Sequence, residues 1–258
     1  MIKNIIAVAS GKGGVGKSTV AVNLSISLAL SKNLKVGLLD ADIYGPSVPK
    51  MLNISEKPRA SESKKILPYE KFFIKSMSIG NMVPADKAII WRGAMATSAI
   101  RQMFNDVEWG DLDLLIIDLP PGTGDIQLSL CQNLMINGAV IVSTPQEVAL
   151  LDVRKAINMF KKVNVPILGI VQNMSFIEIN KEKQYIFGKN GVIKESKKQN
   201  IRFLGEIPII QKISEAGDKG DPLASKKTSN IYDIFKNISN ELTTSLSEKK
   251  NSKIKISN

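Results

Sequence analysis

The sequence predicts an α/β protein with a mostly parallel central sheet of about seven or eight strands and helices on both faces. Two observations lead to this prediction. Short, almost continuously apolar runs alternate with longer amphipathic runs along most of the chain, which is the pattern of βα units joined by right-handed crossovers. The length of 258 residues, 43% of them apolar, suits one well-buried domain rather than two.

The predicted elements follow from these runs. The strands are Ile5–Ala9, Val36–Asp40, Phe72–Ser76, Leu114–Leu119, Ala139–Ser143, Ile167–Gln172 and Phe203–Glu206. Several are nearly continuous Val, Ile and Leu, as expected of parallel strands that are covered on both faces. The amphipathic helices are Lys17–Leu30, Ala94–Phe104, Ile126–Met135, Glu147–Lys162 and Val192–Gln199. The residues Thr144, Pro145, Gln146 and Glu147 predict a capping box with proline at the first helical position.

The remaining segments are polar or lie near the C-terminal end. Asn53–Glu70 and Glu178–Gly191 are predicted to be polar surface excursions. Ile231–Leu246 carries apolar residues at helical spacing, which favours a helix docked on the domain over a helix that lies on a membrane surface. We therefore predict a single domain over residues 1–247 and a disordered basic tail over residues 248–258.

Composition excludes several kinds of chemistry. The chain has one cysteine, Cys131, and no histidine, which excludes a disulfide framework, His/Cys zinc sites and histidine-based catalytic triads. Metal binding must then use oxygen ligands, which favour Mg²⁺. No stretch of about 18 apolar residues predicts a membrane span, and the apolar run Met1–Ser10 is expected to be a first strand rather than a signal peptide. The expected location is the reducing cytoplasm.

The net charge of +11 could indicate nucleic-acid binding. The lysines are scattered, however, and aromatic residues make up only 5% of the chain. No basic stretch is interleaved with aromatics, so a lysine-rich solvated surface is the favoured interpretation, and no specific nucleic-acid partner is expected.

One segment between a predicted strand and a predicted helix fits the pattern G-x-x-x-x-G-K-[ST]. Its residues are Gly11, Lys12, Gly13, Gly14, Val15, Gly16, Lys17, Ser18 and Thr19. Glycines let backbone N–H groups surround a β-phosphate, and the following helix adds its own free N–H groups. Lys17 would reach the β- and γ-phosphate oxygens and Ser18 would bind Mg²⁺. The segment therefore predicts binding of Mg·ATP.

Acidic residues end two of the predicted strands. Asp40 and Asp42 follow the apolar run at residues 36–39, and Asp118 ends the run at residues 114–117. Open α/β sheets bind ligands at these carboxyl ends. Asp118 fits the acid of a Walker B motif, which holds Mg²⁺ through water. The segment Pro120–Asp125 that follows is predicted to be a switch loop that senses the γ-phosphate.

The chain closely resembles the Mrp family of bacterial iron–sulfur cluster carrier ATPases over about residues 5–223. The matching segments are Gly11–Thr19, Asp40–Ser47, Trp91–Gly93, Asp118–Asp125, Thr144–Gln146 and Gln172–Ser175. The resemblance implies a slow ATPase that takes part in iron–sulfur protein assembly, with assembly factors or apo-protein clients as partners and an iron–sulfur cluster as a family cofactor. Lys12 is typical of deviant Walker A ATPases, in which this lysine crosses a homodimer interface to the partner's nucleotide.

The resemblance also implies roles for single residues. Lys12, Lys17 and Asp42 would be catalytic, with Asp42 orienting or activating the attacking water. Ser18, Asp40 and Asp118 would support Mg²⁺. Asn173 would read the adenine edge, and the segment around Pro208–Ile210 would line the base.

One departure from the family concerns the cluster ligands. The Cys-x-x-Cys expected shortly after Met174 is replaced by Ser175–Lys183, which contains no cysteine, so we identify no iron–sulfur ligands. Cys131 shares a helical face with Leu128 and Leu134 and is expected to be a core residue. Two other functions stay open: a positioning or partition-type ATPase that assembles on DNA or membrane, and a regulatory ATPase without a metal role.

Overall fold

Parallel strands form most of the central sheet, as the sequence predicts. The computed structural model describes residues 1–82 and 93–256. In chain order the strands are β1 (Ile5–Ala9), β2 (Val36–Asp40), β3 (Tyr69–Lys71), β4 (Ile74–Ser78), β5 (Leu114–Asp118), β6 (Gly138–Ser143), β7 (Ile167–Gln172), β8 (Ile177–Ile179), β9 (Glu182–Gln184) and β10 (Phe203–Glu206). Eight of them form one sheet in the order β10-β7-β6-β1-β5-β2-β4-β3, and β8 and β9 form a separate hairpin. Among the described strands of the large sheet, only the edge strand β3 runs antiparallel to its neighbour.

Helices cover both faces of this sheet and confirm the predicted α/β fold. They are α1 (Lys17–Lys32), α2 (Val48–Met51), α3 (Gly93–Asp106), α4 (Asp125–Asn133), α5 (Glu147–Lys162), α6 (Gly191–Gln199), α7 (Gln211–Lys219) and α8 (Asn230–Ile256). No helix within the two described ranges is both long enough and apolar enough to cross a bilayer. Trp91 and Arg92, from one of the segments that resemble the Mrp family, lie outside the described residues.

Two apolar layers hold the sheet between the helices. Alternate residues of β1 point to opposite layers: Ala7 packs with residues of α3, α4 and α5, while Ile6 and Val8 pack with residues of α1 and α8. Burial of the strand on both faces explains why its sequence shows no polar alternation. The stripe on α8, which includes Phe235, is buried in the second layer, so the predicted C-terminal helix is docked on the domain.

The structure corrects the predicted strand at Phe72–Ser76. The strand β4 begins at Ile74, because β3 pairs with it antiparallel and the two are joined by a turn at Phe72 and Phe73. Both turn residues have positive φ, 48° and 67°. Two-residue hairpin turns normally use Asn or Gly for this conformation. The sequence therefore gave no turn signal at this point.

The predicted capping box before α5 is wrong. The helix begins at Glu147 with Gln146 as the capping residue, and no side chain caps it. The hydroxyl of Thr144 is buried and has no hydrogen-bond partner among the described residues. Pro145 lies outside the helix, where its carbonyl closely approaches Gly191. A Cβ at Gly191 would lie only 2.1 Å from the Pro145 carbonyl oxygen, so this packing of residue 145 against the start of α6 needs a glycine.

Two polar segments are more ordered than predicted. The segment Glu178–Gly191, expected to be a surface excursion, contains most of the β8–β9 hairpin. The residues from 248 onward, expected to be a disordered tail, are helical up to Ile256. Arg202, just before β10, lies 2.8 Å from both Glu241 and Glu248. These ion pairs join α8 to the residue before β10 as far along the helix as Glu248.

Candidate functional site

The phosphate-loop motif connects β1 to α1 at the carboxyl edge of the sheet. Gly16 caps α1 in the left-handed region, with φ of 79°, where a residue with a Cβ would be strained. Gly11 lies against α5, and a Cβ there would be 2.4 Å from the backbone carbonyl carbon of Asp152. The motif glycines at both ends of the loop are therefore required by this structure.

Lys17 is the cation at the centre of the site. Its Nζ lies 2.6 Å from Oδ1 of Asp118 and 3.5 Å from Oδ2 of Asp42. The same Nζ donates to Oγ of Ser18 over 3.2 Å. The Lys17 side chain is only 5% exposed, so these contacts form in a region with little water. The structure thus brings together residues from the phosphate loop, β5 and the segment after β2, as the sequence predicts.

The carboxylates of Asp40 and Asp118 lie on adjacent strands. The two residues are register partners in the β2–β5 pair, and both are fully buried. Burial and, to a smaller extent, the charge of Asp118 raise the pKa of Asp40 to about 7. Burial also raises the pKa of Asp118, although the Lys17 ammonium opposes that change.

Hydrogen bonds fix the Asp40 carboxylate in place. Its Oδ1 accepts from the backbone N–H of Asp42 at 3.1 Å, and its Oδ2 accepts from the hydroxyl of Ser78 at 2.9 Å. The backbone N–H of Val48 also donates to Oδ2, at 3.3 Å. Sequence reasoning missed Ser78, because its contact depends on the register of β2 with β4.

The donor set around Asp118 fits Mg²⁺. Oδ2 of Asp118 is buried and has no hydrogen-bond partner in the described part of the chain. The Ser18 hydroxyl is hydrogen-bonded to the ammonium that also contacts Asp118. Carboxylate and hydroxyl oxygens are the donors that Mg²⁺ prefers. Asp40 approaches this group from the neighbouring strand, and its oxygens are largely engaged by hydrogen bonds.

The predicted switch loop follows β5 and is tied to two other elements. The side-chain amide of Gln127 on α4 donates to the carbonyls of Pro120, at 3.0 Å, and Pro121, at 2.6 Å. The backbone N–H of Gly122 donates to the carbonyl of Ser10 at 2.9 Å. The loop is thus linked directly to the start of the phosphate loop. Sequence analysis missed Gln127, which carries no motif of its own.

An apolar cleft of about 540 Å³ opens beside the phosphate loop. Asn173 and Pro208, both predicted to contact the nucleotide base, line it. The Asn173 side-chain nitrogen donates to the carbonyl of Val15 at 2.8 Å, so this amide also holds the phosphate loop. Several other lining residues were not predicted from the sequence, among them Met174, Ile186 and Phe187. The last two follow the β8–β9 hairpin, whose presence the sequence did not reveal.

Lys12 differs from Lys17 in its surroundings. It is half-buried in the phosphate loop, where its carbonyl accepts from the hydroxyl of Ser10 at 2.8 Å. Within residues 1–82 and 93–249 its ammonium has no hydrogen-bond or ion-pair partner. The structure therefore leaves this charge apart from the carboxylates that surround Lys17.

Cys131 is a core residue, as predicted. It is 5% exposed on α4, in the apolar layer that also contains Leu130 and Leu134. Burial raises the pKa of its thiol to about 12. Metal ligation requires the thiolate, so this cysteine does not fit an iron–sulfur cluster. The position after Met174, where the family resemblance places paired cysteines, is occupied by the β8–β9 hairpin.

Comparison with known proteins identifies the relatives of this chain. Residues 1–243 match a family model described as "ParA: NUBPL iron-transfer P-loop NTPase". An Arabidopsis thaliana protein named "Iron-sulfur protein required for NADH dehydrogenase, mitochondrial" is 51% identical over 89% of this chain and 74% of its own length. The "Iron-sulfur cluster carrier protein" of Aquifex aeolicus is 46% identical over 97% of this chain and 70% of its own length.

Solved structures show the same fold. A nucleotide-binding protein from Archaeoglobus fulgidus, in complex with ADP, is 38% identical, with a TM-score of 0.78 over 91% of this chain and 92% of the other. The cell division ATPase MinD of Pyrococcus furiosus has a TM-score of 0.72 over 94% of this chain and 99% of the other. At 22% identity, the likeness to MinD concerns the fold alone.

Proposed function

This chain belongs to the family of NUBPL iron-transfer P-loop NTPases, and from that premise we propose that it binds Mg·ATP through Gly11–Thr19 and hydrolyses it slowly. We propose further that this hydrolysis serves iron–sulfur protein assembly in the cytoplasm. The observation that carries the proposal is the position of Lys17, whose ammonium faces Asp118 and Asp42 at the end of the phosphate loop.

The phosphate chain would bind where the loop meets α1. Free backbone N–H groups at the start of this helix would donate to the β-phosphate oxygens. The Lys17 ammonium would turn from Asp118 towards the β- and γ-phosphate oxygens, exchanging one anionic partner for another. Bound Mg²⁺, held by Ser18 with Asp40 and Asp118, would neutralise charge on the phosphate oxygens.

Asp42 is the best-placed residue for the attacking water. Its Oδ1 accepts from the backbone N–H of Gly45 at 3.3 Å, and its Oδ2 lies 3.5 Å from the Lys17 ammonium. The carboxylate is thus held beside the cation that would contact the γ-phosphate. In this position Asp42 would accept a hydrogen bond from a water molecule and orient it for attack.

We propose that the active form is a homodimer. The support is Lys12, whose ammonium has no partner in the described part of its own chain. A lysine on the phosphate loop that is not engaged within its subunit is available to reach the γ-phosphate bound by a second subunit. Charge supplied at that position would stabilise the transition state of phosphoryl transfer.

We propose that the iron–sulfur cluster is cargo of this chain rather than its resident cofactor. The relatives are named for iron–sulfur clusters, whereas the single cysteine of this chain is buried with a raised thiol pKa. We therefore propose that a cluster is carried through an exogenous thiol or through residues of an assembly factor or apo-protein client.

The test is anaerobic purification of the tagged wild-type chain and of Lys17→Ala from native cells, in the presence of Mg·ATP. Bound iron and sulfide are counted, and co-purifying proteins are identified. We expect iron–sulfur proteins or their assembly factors to co-purify with the wild-type chain and to be depleted with Lys17→Ala. Equal recovery of the same proteins with both chains, or recovery of none, would contradict a nucleotide-dependent role in iron–sulfur assembly.

A further inference from the structure

One half-buried aromatic residue, Phe187, lines the apolar cleft beside the phosphate loop. Among the described residues that line it, Phe187 and Phe235 are the aromatic ones. Phe235 is fully buried and belongs to the core behind the cleft. Phe187 is half-buried, so part of its ring is available to a ligand. Every other lining side chain is aliphatic, small or polar.

The cleft lies where the base of a nucleotide would lie. Its inner end is formed by Gly16, Thr19 and Val20 at the start of α1, next to the positions proposed to hold phosphates. A volume of about 540 Å³ falls within the range of about 300–1,000 Å³ that is usual for small-ligand sites. The cleft is therefore large enough for a nucleoside that extends from those phosphates.

The segment that contains the β8–β9 hairpin links Phe187 to residues 207–210, which also line the cleft. The carbonyl of Phe176, immediately before β8, accepts from the backbone N–H of Ile209 at 2.7 Å. The ring of Phe176 packs against Tyr185, with centroids 6.0 Å apart. The backbone N–H of Gly188 then donates to the carbonyl of Tyr185 at 3.3 Å, forming a turn around Phe187. The buried residue Phe176 thus contacts both the segment that carries Ile209 and the segment that carries Phe187.

Phe187 lines a second cleft as well. A second cleft of about 410 Å³, between the starts of α5 and α6, is lined by Phe187 together with charged residues such as Arg154 and Lys194. Phe187 therefore borders an apolar cleft and a cleft lined by charged residues. A flat apolar side chain at such a boundary gives a base a surface to stack on while the charged side stays solvated.

We propose that Phe187 is a base-contacting residue, which supplies the aromatic surface for the nucleobase of the bound nucleotide. This inference rests on the proposed function, because it takes the phosphates to be held by Gly11–Thr19. It adds a residue that lies outside every nucleotide motif of the chain. It also gives the hairpin a role, since the hairpin carries one wall of the base site.

The test measures the contribution of the base to affinity separately from that of the phosphates. Calorimetry compares the affinity for ATP with that for tripolyphosphate, which has phosphates but no nucleoside. Alanine substitution of stacking aromatics typically weakens base binding by about 1–3 kcal/mol, so we expect Phe187→Ala to lower ATP affinity by about 10-fold. Its affinity for tripolyphosphate should be unchanged. Ile179→Ala, on the same hairpin but outside the cleft lining, is the matched control and should bind both ligands as the wild type does.

A tryptophan at the same position gives a second measurement. We expect Phe187→Trp to keep ATP affinity, and its fluorescence should respond to ATP, beyond any change in the wild-type chain, but not to tripolyphosphate. This variant decides the question if Phe187→Ala fails to fold.

Three results would overturn the inference while leaving the proposed function standing. These are unchanged ATP affinity in Phe187→Ala, an equal loss of ATP and tripolyphosphate affinity in that variant, and no ATP-specific fluorescence change in Phe187→Trp. A wild-type chain that binds neither ligand would overturn the proposed function together with the inference.

Discussion

The ammonium of Lys17 lies 2.6 Å from Oδ1 of Asp118, although the two residues are 101 positions apart in the chain. Both side chains are almost completely buried, so each charge depends on the other for compensation. A nucleotide must compete with Asp118 for this ammonium. Asp118 would then have its charge balanced by Mg²⁺, and nucleotide and metal binding would depend on each other at this site.

The hydroxyl of Ser18 should matter mainly when Mg²⁺ is present. We expect Ser18→Ala to bind ATP in the absence of Mg²⁺ about as well as the wild type does, because the backbone and Lys17 contacts are retained. Mg²⁺ should raise the ATP affinity of the wild type more than that of the variant. The factor by which it does so should be smaller in Ser18→Ala by about 10-fold or more, since the substitution removes one oxygen ligand. Calorimetry with and without Mg²⁺ measures both values. The same gain in the variant and the wild type would exclude Ser18 as a magnesium ligand.

Lys12 and Asp42 should act on hydrolysis rather than on binding. We expect Lys12→Ala and Asp42→Ala to retain ATP affinity within about 3-fold and to lose most phosphate release, because both groups act as the transition state forms. Measurements of affinity and of phosphate release on each variant check this. A variant that loses binding in proportion to its activity would contradict the assignment of that residue.

Mixing the two variants tests whether Lys12 acts across a dimer. If Lys12 serves the partner's nucleotide, one site of a mixed dimer contains neither substitution and the other contains both. The mixture should then recover up to about a quarter of wild-type phosphate release, since about half of randomly paired dimers are mixed and each has one intact site. Inactive mixtures with confirmed subunit exchange would show that Lys12 does not act in trans.

Asp40 should make stability depend on pH. Its folded-state pKa is raised from 3.8 to about 7, so between these values the folded chain binds a proton that the unfolded chain releases. The contribution of Asp40 to the free energy of unfolding therefore falls as pH rises from about 4 to about 7. We expect Asp40→Asn to lose this pH-dependent contribution to stability. The rise in the pKa from 3.8 to about 7, at about 1.4 kcal/mol per pKa unit, limits the contribution to about 4 kcal/mol. Denaturant unfolding of both chains without nucleotide or metal measures it; identical pH profiles would contradict a raised Asp40 pKa.

Cys131 should be dispensable for any bound cluster. After anaerobic reconstitution we expect the purified chain to hold no stable cluster on its own residues, because its one thiol is buried with a pKa of about 12. Iron and sulfide counts and visible absorption measure this in the wild type and in Cys131→Ser. A stoichiometric cluster that disappears in Cys131→Ser would show that the cysteine is a ligand.

Local sequence was enough to predict the sheet and the proximity of Lys17 to Asp42 and Asp118. The runs that became β1, β2 and β5 are continuous and apolar, because both their faces are buried. Parallel strands place their carboxyl ends along one edge, so Asp42 and Asp118 could be expected near the phosphate loop. Contacts that depend on register or on folded loops could not be predicted in this way. Ser78 reaches Asp40 through the β2–β4 register, and Phe187 reaches the cleft through the hairpin.

The incorrect predictions have a common physical origin. Residues 144–147 resemble a capping box, but α5 begins only at Glu147, and Pro145 lies outside the helix against Gly191. Phe72 and Phe73 have strand propensity, yet pairing of β3 with β4 places them in a tight turn. In both cases the local preference of the run is overridden by contacts with residues outside it.

The most direct test of the account is phosphate release from Mg·ATP by the purified chain, with ATP affinity measured on the same samples. The account predicts slow, magnesium-dependent release by the wild type. In Lys17→Ala both release and measurable ATP affinity should be lost, because the variant lacks the charge that faces the β- and γ-phosphates. Lys12→Ala, also on the phosphate loop, is the matched control and should still bind ATP. A folded wild-type chain that releases no phosphate, or a Lys17→Ala chain that binds ATP as tightly as the wild type, would contradict the account.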